Sequence, residues 1–275
     1  MKPVFLTGAL LFLSLHAKAQ LQFVPPEAAQ TAFADGAREV KVTFHNPASQ
    51  SLTTPLRLQL FQASSATVVP LGRPRDWKTL EVLPGQTVLE SAAVTFPAVR
   101  NGSRFLVQWL DAANKVLGRT DVMVYPTNLL EALKPLAGET PLGVFDPQDQ
   151  LKPLLKGLAV EFDDLAEAGL DSFSGKLAII GPFQSRTQMR EGLSEEIQAL
   201  AKKGKAIVWI QAPSERGAKL KPTFYAVPQK EYSVMIVQPG MVANLPENPQ
   251  SQLNLVRFCQ LALHPEIPAW PTQTR

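Results

Sequence analysis

Apolar and polar positions alternate in short runs over the first half of the chain and recur at helical spacing over the second. Val40, Val42 and Phe44 fall on one side of a run whose other side is Glu39, Lys41, Thr43 and His45, the period-two mark of a half-buried strand. Asn46-Pro47 ends it. Leu56, Leu58 and Leu60 alternate with Arg57, Gln59 and Phe61, and the turn Leu83-Pro84-Gly85 introduces a run from Thr87 to Phe96. Phe105, Val107 and Trp109 share a face before a hairpin-like loop, Asp111-Ala112-Ala113-Asn114. Val116 and Leu117 then lead through Gly118 to Val122, Val124 and Tyr125. About seven short strands in roughly 105 residues is the spacing of an immunoglobulin-like or fibronectin-type β-sandwich, expected over residues 20–126. The Cys…Trp…Cys signature of true immunoglobulin domains is absent, so the likeness is architectural.

Tyr125-Pro126-Thr127-Asn128 reads as a hinge, with Asn128 predicted to cap a helix from Leu129 to Leu136 that ends at Gly138, a linker over residues 127–138. The period then changes. Strands are predicted at Leu142–Phe145, Ala159–Phe162, Leu177–Ile180, Ala206–Ile210 and Val234–Val237. Between and after them lie helices over Leu151–Leu158, through Leu193, Ile197 and Leu200, and over Pro249–Leu263. Alternating strands and helices imply a parallel sheet with right-handed crossovers. With about 140 residues to place, a flavodoxin-like order is expected for residues 139–264, leaving 265–275 as a tail.

The first 19 residues change the reading of charge and compartment. Lys2, the apolar stretch Val4–Leu15 and Ala17-Lys18-Ala19 have the form of a secretory signal peptide, with cleavage expected after Ala19. The whole chain carries 27 Lys and Arg against 24 Asp and Glu; removing Lys2 and Lys18 leaves 25 against 24. That near-neutral balance, with no Lys/Arg stripe interleaved with aromatics, argues against nucleic acid as a partner. No later segment has the roughly 20 apolar residues of a membrane span. The only cysteine, Cys259, excludes an intramolecular disulfide and a cysteine-based metal cluster. A periplasmic or secreted bacterial protein held by its core is expected.

"KLAIIGP", followed by "LSEEIQALAKKGKAIVWI", resembles the class I glutamine-amidotransferase-like domains, including the trehalose-utilisation branch, over residues 139–263. It also resembles accessory domains of that fold found beside β-sandwiches in exported proteins. Lys203-Gly204 stands where the family usually has a double glycine. The resemblance implies a flavodoxin-like fold and, in active members, a cysteine on a tight strand–helix turn activated by a histidine. Here the matching corner is Gln211-Ala212-Pro213-Ser214, with no Cys, no relieving glycine and, at Pro213, no amide hydrogen. A domain lacking the catalytic machinery is therefore expected, with no cofactor.

Several residues could still carry chemistry. Cys259 lies mid-helix on an apolar face and reads as core. Ser214 would need a base, and beyond residue 19 the only histidines are His45 and His264, with no Gly-x-Ser-x-Gly elbow. Asp146 ends one predicted strand, while Glu161, Asp163 and Asp164 flank the end of the next. Converging at the sheet's carboxyl edge, Asp146 and Glu161 could form an acid/base pair about 5–9 Å apart. Asp146, Asp163 and Asp164 could alternatively hold a hard cation, or simply cap helices. Trp77, in the polar stretch "GRPRDWKTL", could stack on a sugar or pack against a strand, and Gln211 is the other ligand-binding candidate. Trp109 and Trp209 read as core, and Trp270 belongs to the proline-rich tail. The function expected from the sequence is non-catalytic binding or assembly at the bacterial envelope, with an envelope protein or carbohydrate as partner. A glycoside or ester hydrolase using the acidic edge is the alternative.

Overall fold

The computed structural model describes residues 20–183, 185–212, 223–226 and 233–264. The segment 1–19, Pro213, Ser214 and Trp270 lie outside the described residues. By compactness the chain falls into two units, one within Met1–Ala29, Glu39–Ala93 and Leu106–Asp121, the other within Gln30–Arg38, Val94–Phe105 and Val122–Arg275.

Residues 22–125 form antiparallel and mixed β-sheets. In chain order the strands are β1 (Gln22–Val24), β2 (Gln30–Phe33), β3 (Gly36–His45), β4 (Leu52–Ala63) and β5 (Val68–Pro70). They continue with β6 (Arg75–Val82), β7 (Thr87–Phe96), β8 (Ser103–Asp111) and β9 (Val116–Tyr125). One sheet has the order β1-β3-β7. The other runs β2-β9-β8-β4-β5, with β6 also on β4 and β2 parallel to β9.

Within the first unit the expected alternation is realised. Val40, Val42 and Phe44 are buried while Glu39 and Lys41 are exposed. The Phe44 ring meets Trp109 edge-on with centroids 6.3 Å apart. The indole N–H of Trp109 donates to the Thr120 hydroxyl at 2.9 Å, satisfying a donor that burial would otherwise strand. Asn46 is wholly buried, and its side-chain amide donates to the carbonyls of Gln50, Val82 and Leu83, tying two turns together. The loop after β8 is held by Asp111, whose carboxylate accepts from the amides of Ala113 and Lys115.

In the second unit a 3₁₀ turn over Leu129–Ala132 leads into the short helix α1 (Leu133–Ala137). The predicted Asn128 cap is not made; its side-chain amide nitrogen donates to the Glu131 carboxylate. Then follow β10 (Leu142–Phe145), α2 (Lys152–Gly157), β11 (Phe162–Asp164), α3 (Leu165–Ala168), β12 (Leu177–Ile180) and α4 (Leu193–Lys202). The chain continues through β13 (Ala206–Ile210), β14 (Thr223–Ala226), β15 (Ser233–Val237) and α5 (Pro249–Leu263). The sheet order is β11-β10-β12-β13-β15-β14. Its first five strands are parallel in the flavodoxin-like order, and β14, which the periodicity does not reveal, adds an antiparallel edge.

Both faces of the sheet are covered at its centre, so β10, β12 and β13 read as near-continuous apolar runs. Leu177, Ile179, Val208 and Ile210 join one core with Leu255, Phe258 and Cys259 of α5. Ala178, Ile180 and Ile207 join another with Leu193, Ile197 and Leu200 of α4.

One predicted boundary is corrected. The second parallel strand begins at Phe162, not Ala159. Ala159 has φ of 50° and closes α2: its amide donates to the Lys156 carbonyl, and the Val160 amide reaches the Leu155 carbonyl. That is a Schellman-type helix ending, usually built on glycine. The glycine falls two positions earlier, at Gly157, which hides the motif from sequence.

Candidate functional site

The carboxyl ends of the parallel strands are where a doubly wound sheet presents ligands, at the point where strand order reverses. Here that point lies between β10 and β12. Asp146 follows β10 directly and is wholly buried. Its Oδ2 accepts from the amides of Leu151 at 2.6 Å and Lys152 at 3.0 Å, the opening of α2. Its Oδ1 has no hydrogen-bond partner. The carboxylate thus satisfies two helix-terminal donors from five and six residues upstream.

Lys152, 8% exposed, extends its ammonium to Asp164 at 2.7 Å and Asp149 at 2.8 Å. Burial works against the charge, but the hydrogen bonds and charges of Asp149 and Asp164 more than offset it and hold the ammonium above the ordinary lysine range. Burial likewise opposes ionisation of Asp164, yet Lys152 and the Ala166 amide hold its carboxyl below its usual value. Asp164 is the side-chain cap of α3.

The acidic candidates are therefore not brought together as a pair. Glu161 lies at the amino end of β11, where its carbonyl accepts from the Leu142 amide, whereas Asp146 follows the carboxyl end of β10. The parallel register separates their levels by five residues, about 16 Å of strand. Asp163 and Asp164 lie within β11, opposite Gly143 and Val144, rather than beyond its end. Among the described residues no group of three or more His, Cys, Asp or Glu is arranged to hold a metal ion, and the cation beside Asp164 is Lys152.

Trp77 is not in a loop. It lies in β6, half-buried, 5.0 Å from the Trp109 ring centroid. The register of β4 and β6 slips here: Leu56 faces Lys78 while Arg57 faces Asp76. Trp77 is the extra residue of a β-bulge, which breaks the alternation that would have marked the strand. Cys259 is fully buried in α5, and burial pushes its thiol up, away from the reactive thiolate.

Among the described residues, a larger and a smaller cleft open beside the carboxyl edge of the second unit. The larger, about 820 Å³, is lined by Pro153 and Leu154 of α2, Pro182 and Phe183 after β12, and Val242 to Pro246 after β15, with Asp149 and Gln150 at its border. Gly181 shapes the approach: its φ is 96°, and a Cβ there would come within 2.5 Å of the Ile210 carbonyl oxygen, so only glycine fits. The smaller cleft, about 400 Å³, lies at the corner after β13 and is lined by Trp209, Gln211 and Ala212 with Arg186, Arg190 and the first turn of α4. Trp209, read from sequence as core, is only half-buried. The nonpolar stretch of β13 gives no hint that it borders a cavity.

No family model matches the sequence, and no curated protein matches it. Solved structures give distant likenesses. A Pseudomonas fluorescens alkylpurine DNA glycosylase, AlkC, bound to DNA with an abasic-site analogue, is 11% identical with a TM-score of 0.30, over 39% of this chain and 31% of that one. A Listeria innocua β-glucosidase in complex with glucose is 12% identical with a TM-score of 0.28, over 39% and 16%. A Bifidobacterium adolescentis GH3 β-glucosidase is 10% identical with a TM-score of 0.27, over 39% and 17%. The chain spans about a third or less of the length of the solved proteins it matches.

Proposed function

We propose that this chain is a non-catalytic binding protein of the bacterial envelope, exported by its N-terminal segment, whose α/β unit is a glutamine-amidotransferase-like fold without the nucleophile. One observation carries the reading. Asp146 and Asp164, the acidic side chains at the ends of β10 and β11, are consumed by α2, α3 and Lys152, while the adjoining 820 Å³ cleft is walled largely by proline and aliphatic side chains. A mostly apolar cleft of this size with a few polar groups on its border suits a small ring-bearing ligand held by shape.

The test is NMR-detected binding of a panel of aromatic and cyclic aliphatic fragments to the intact chain and to Gly240→Trp. Gly240 lines this cleft, and a Cβ there meets nothing within 4 Å, so a bulky side chain can be introduced on the cleft wall without a clash at its first carbon. Saturable binding that Gly240→Trp abolishes is the expected result. No binding, or binding unaffected by Gly240→Trp, removes the larger cleft from the account.

A further inference from the structure

In the first unit, β7 ends the sheet β1-β3-β7 and among the described strands bonds only to β3. At its start the Asn46 amide donates to the Gln86 carbonyl at 2.9 Å and the Gly85 amide donates to the Asn46 carbonyl at 2.9 Å. The His45 ring nitrogen Nδ1 lies 3.0 Å from the Thr87 hydroxyl. The two strands are therefore antiparallel, with Asn46 opposite Gln86. Bonded and non-bonded pairs alternate along such a ladder. Val88, Glu90 and Ala92 thus turn their amides and carbonyls to β3, while Thr87, Leu89, Ser91 and Ala93 turn theirs to the open edge. The Ala93 carbonyl bears out this phase, because it accepts from the Arg75 guanidinium at 2.7 Å on that side.

An edge strand invites pairing unless it is short, carries proline or is charged. The other edges of this unit are blunted: β1 has 3 residues, and β5 has 3 and includes Pro70. β7 has 10 residues, with neither proline nor a basic side chain. Its one acid, Glu90, is paired with Lys78 at 2.8 Å. Thr87, Leu89 and Ser91 are exposed and neutral, and Leu89 is 66% exposed. Nothing on this edge repels a second copy of itself, and no charge on it selects a charged peptide.

We infer that two copies of the chain pair antiparallel through β7, across a two-fold axis at Leu89, into one continuous sheet β1-β3-β7-β7-β3-β1. In that register Leu89 faces Leu89 of the second copy and Thr87 faces Ser91, giving about six N–H···O bonds from groups that are otherwise free. The ladder ends where the next groups are already taken: Ala93 would face Gly85, but the Ala93 carbonyl is held by Arg75 and the Gly85 amide by Asn46. Glu90 faces Val88, so the two carboxylates do not meet. Val24 lies opposite Thr43, and Thr43 opposite Leu89, so the outer face gains an unbroken row through both Leu89 side chains. The assembly is closed, because its outer strands are the short β1 edges. A ladder of this length falls below the roughly 1,200 Å² of a stable complex, which makes the dimer weak and concentration-dependent.

The experiment is sedimentation equilibrium of the intact chain from about 1 µM to about 1 mM, the range in which weak self-association is read. The weight-average mass is expected to climb from the monomer toward twice that value. Leu89→Lys sets like charges opposite each other. Leu89→Pro removes an amide that faces the edge and leaves the ladder with β3 intact. Each is expected to raise the dissociation constant at least about tenfold with the circular dichroism spectrum retained. In hydrogen exchange, the amides of Thr87, Leu89 and Ser91 are expected to gain protection with concentration, whereas those of Val88 and Glu90 are protected throughout. A dimer that both variants keep at full affinity, or one that gives Thr87, Leu89 and Ser91 no added protection, would overturn the inference. A chain monomeric throughout the range would overturn it too, leaving the edge to an extended strand of another protein. Gly240→Trp, at the larger cleft, is expected to leave self-association unchanged, so the outcome there is independent of this one.

Discussion

Replacing Asp146 by alanine asks whether the buried carboxylate is architecture or chemistry. In the structure its Oδ2 takes two amide hydrogens, from Leu151 and Lys152, in a site with no solvent access. Alanine leaves both donors unmet, at about 1–3 kcal/mol each. Removing the unpartnered Oδ1 and its desolvation returns part of that. The net loss is about 2–4 kcal/mol, a large share of the roughly 5–15 kcal/mol that holds a domain. With a urea m-value of about 2 kcal/mol/M, the unfolding midpoint followed by far-UV circular dichroism falls by about 1–2 M at unchanged slope. Asp146→Asn keeps one acceptor and is expected to lose about half as much. Hydrogen exchange localises the effect: protection is lost at the amides of Leu151 and Lys152 while β12 and β13 keep theirs. A midpoint within about 0.3 M of the wild type for Asp146→Ala would refute the reasoning.

Lys152→Met strands Asp164, whose side chain is largely buried, and is expected to cost about 1–3 kcal/mol by urea unfolding; Asp149, two-thirds exposed, contributes little. The same variant alters the acid limb. Because the folded-state Asp164 carboxyl lies below its usual 3.8, the unfolded chain binds more protons in that window, so stability rises with pH there and is lost as pH falls through the folded value. The slope of stability against pH between about pH 5 and pH 2 is therefore expected to be shallower in Lys152→Met than in the wild type. Ala159→Gly relieves a left-handed alanine that closes α2 and is expected to raise the thermal midpoint, by about 1 kcal/mol of stability; an unchanged or lower midpoint counts against that reading of the turn.

The strands β10, β12 and β13 and the helix α5 fall where the apolar runs predict them, because each is buried on a face that the sequence marks by composition and ends at Pro, Gly or a polar pair. What stayed hidden has particular causes. The bulge at Trp77 shifts the period by one residue and makes a strand look like a loop. The glycine of α2 lies two positions before the left-handed residue, so the next strand appears to start too early. That early start also set Glu161 beside the strand end and Asp146, whereas the register sets them at opposite ends. Lys152 could not be foreseen as the partner of Asp164, since it lies 12 residues away across a helix and a turn. The role of Asp146 as a helix-opening acceptor was legible in outline from Asp146-Pro147, but its reach to Leu151 and Lys152 was not.

The central claim is that the carboxyl edge of this sheet binds and does no covalent chemistry. The most direct measurement is turnover by the purified intact chain of a panel of chromogenic esters, amides and glycosides across pH 4–9, alongside Asp146→Asn and Ser214→Ala. The account expects every rate to equal that of a protein-free control in all three proteins. A wild-type rate that disappears in either substituted protein while its circular dichroism spectrum is retained would contradict it.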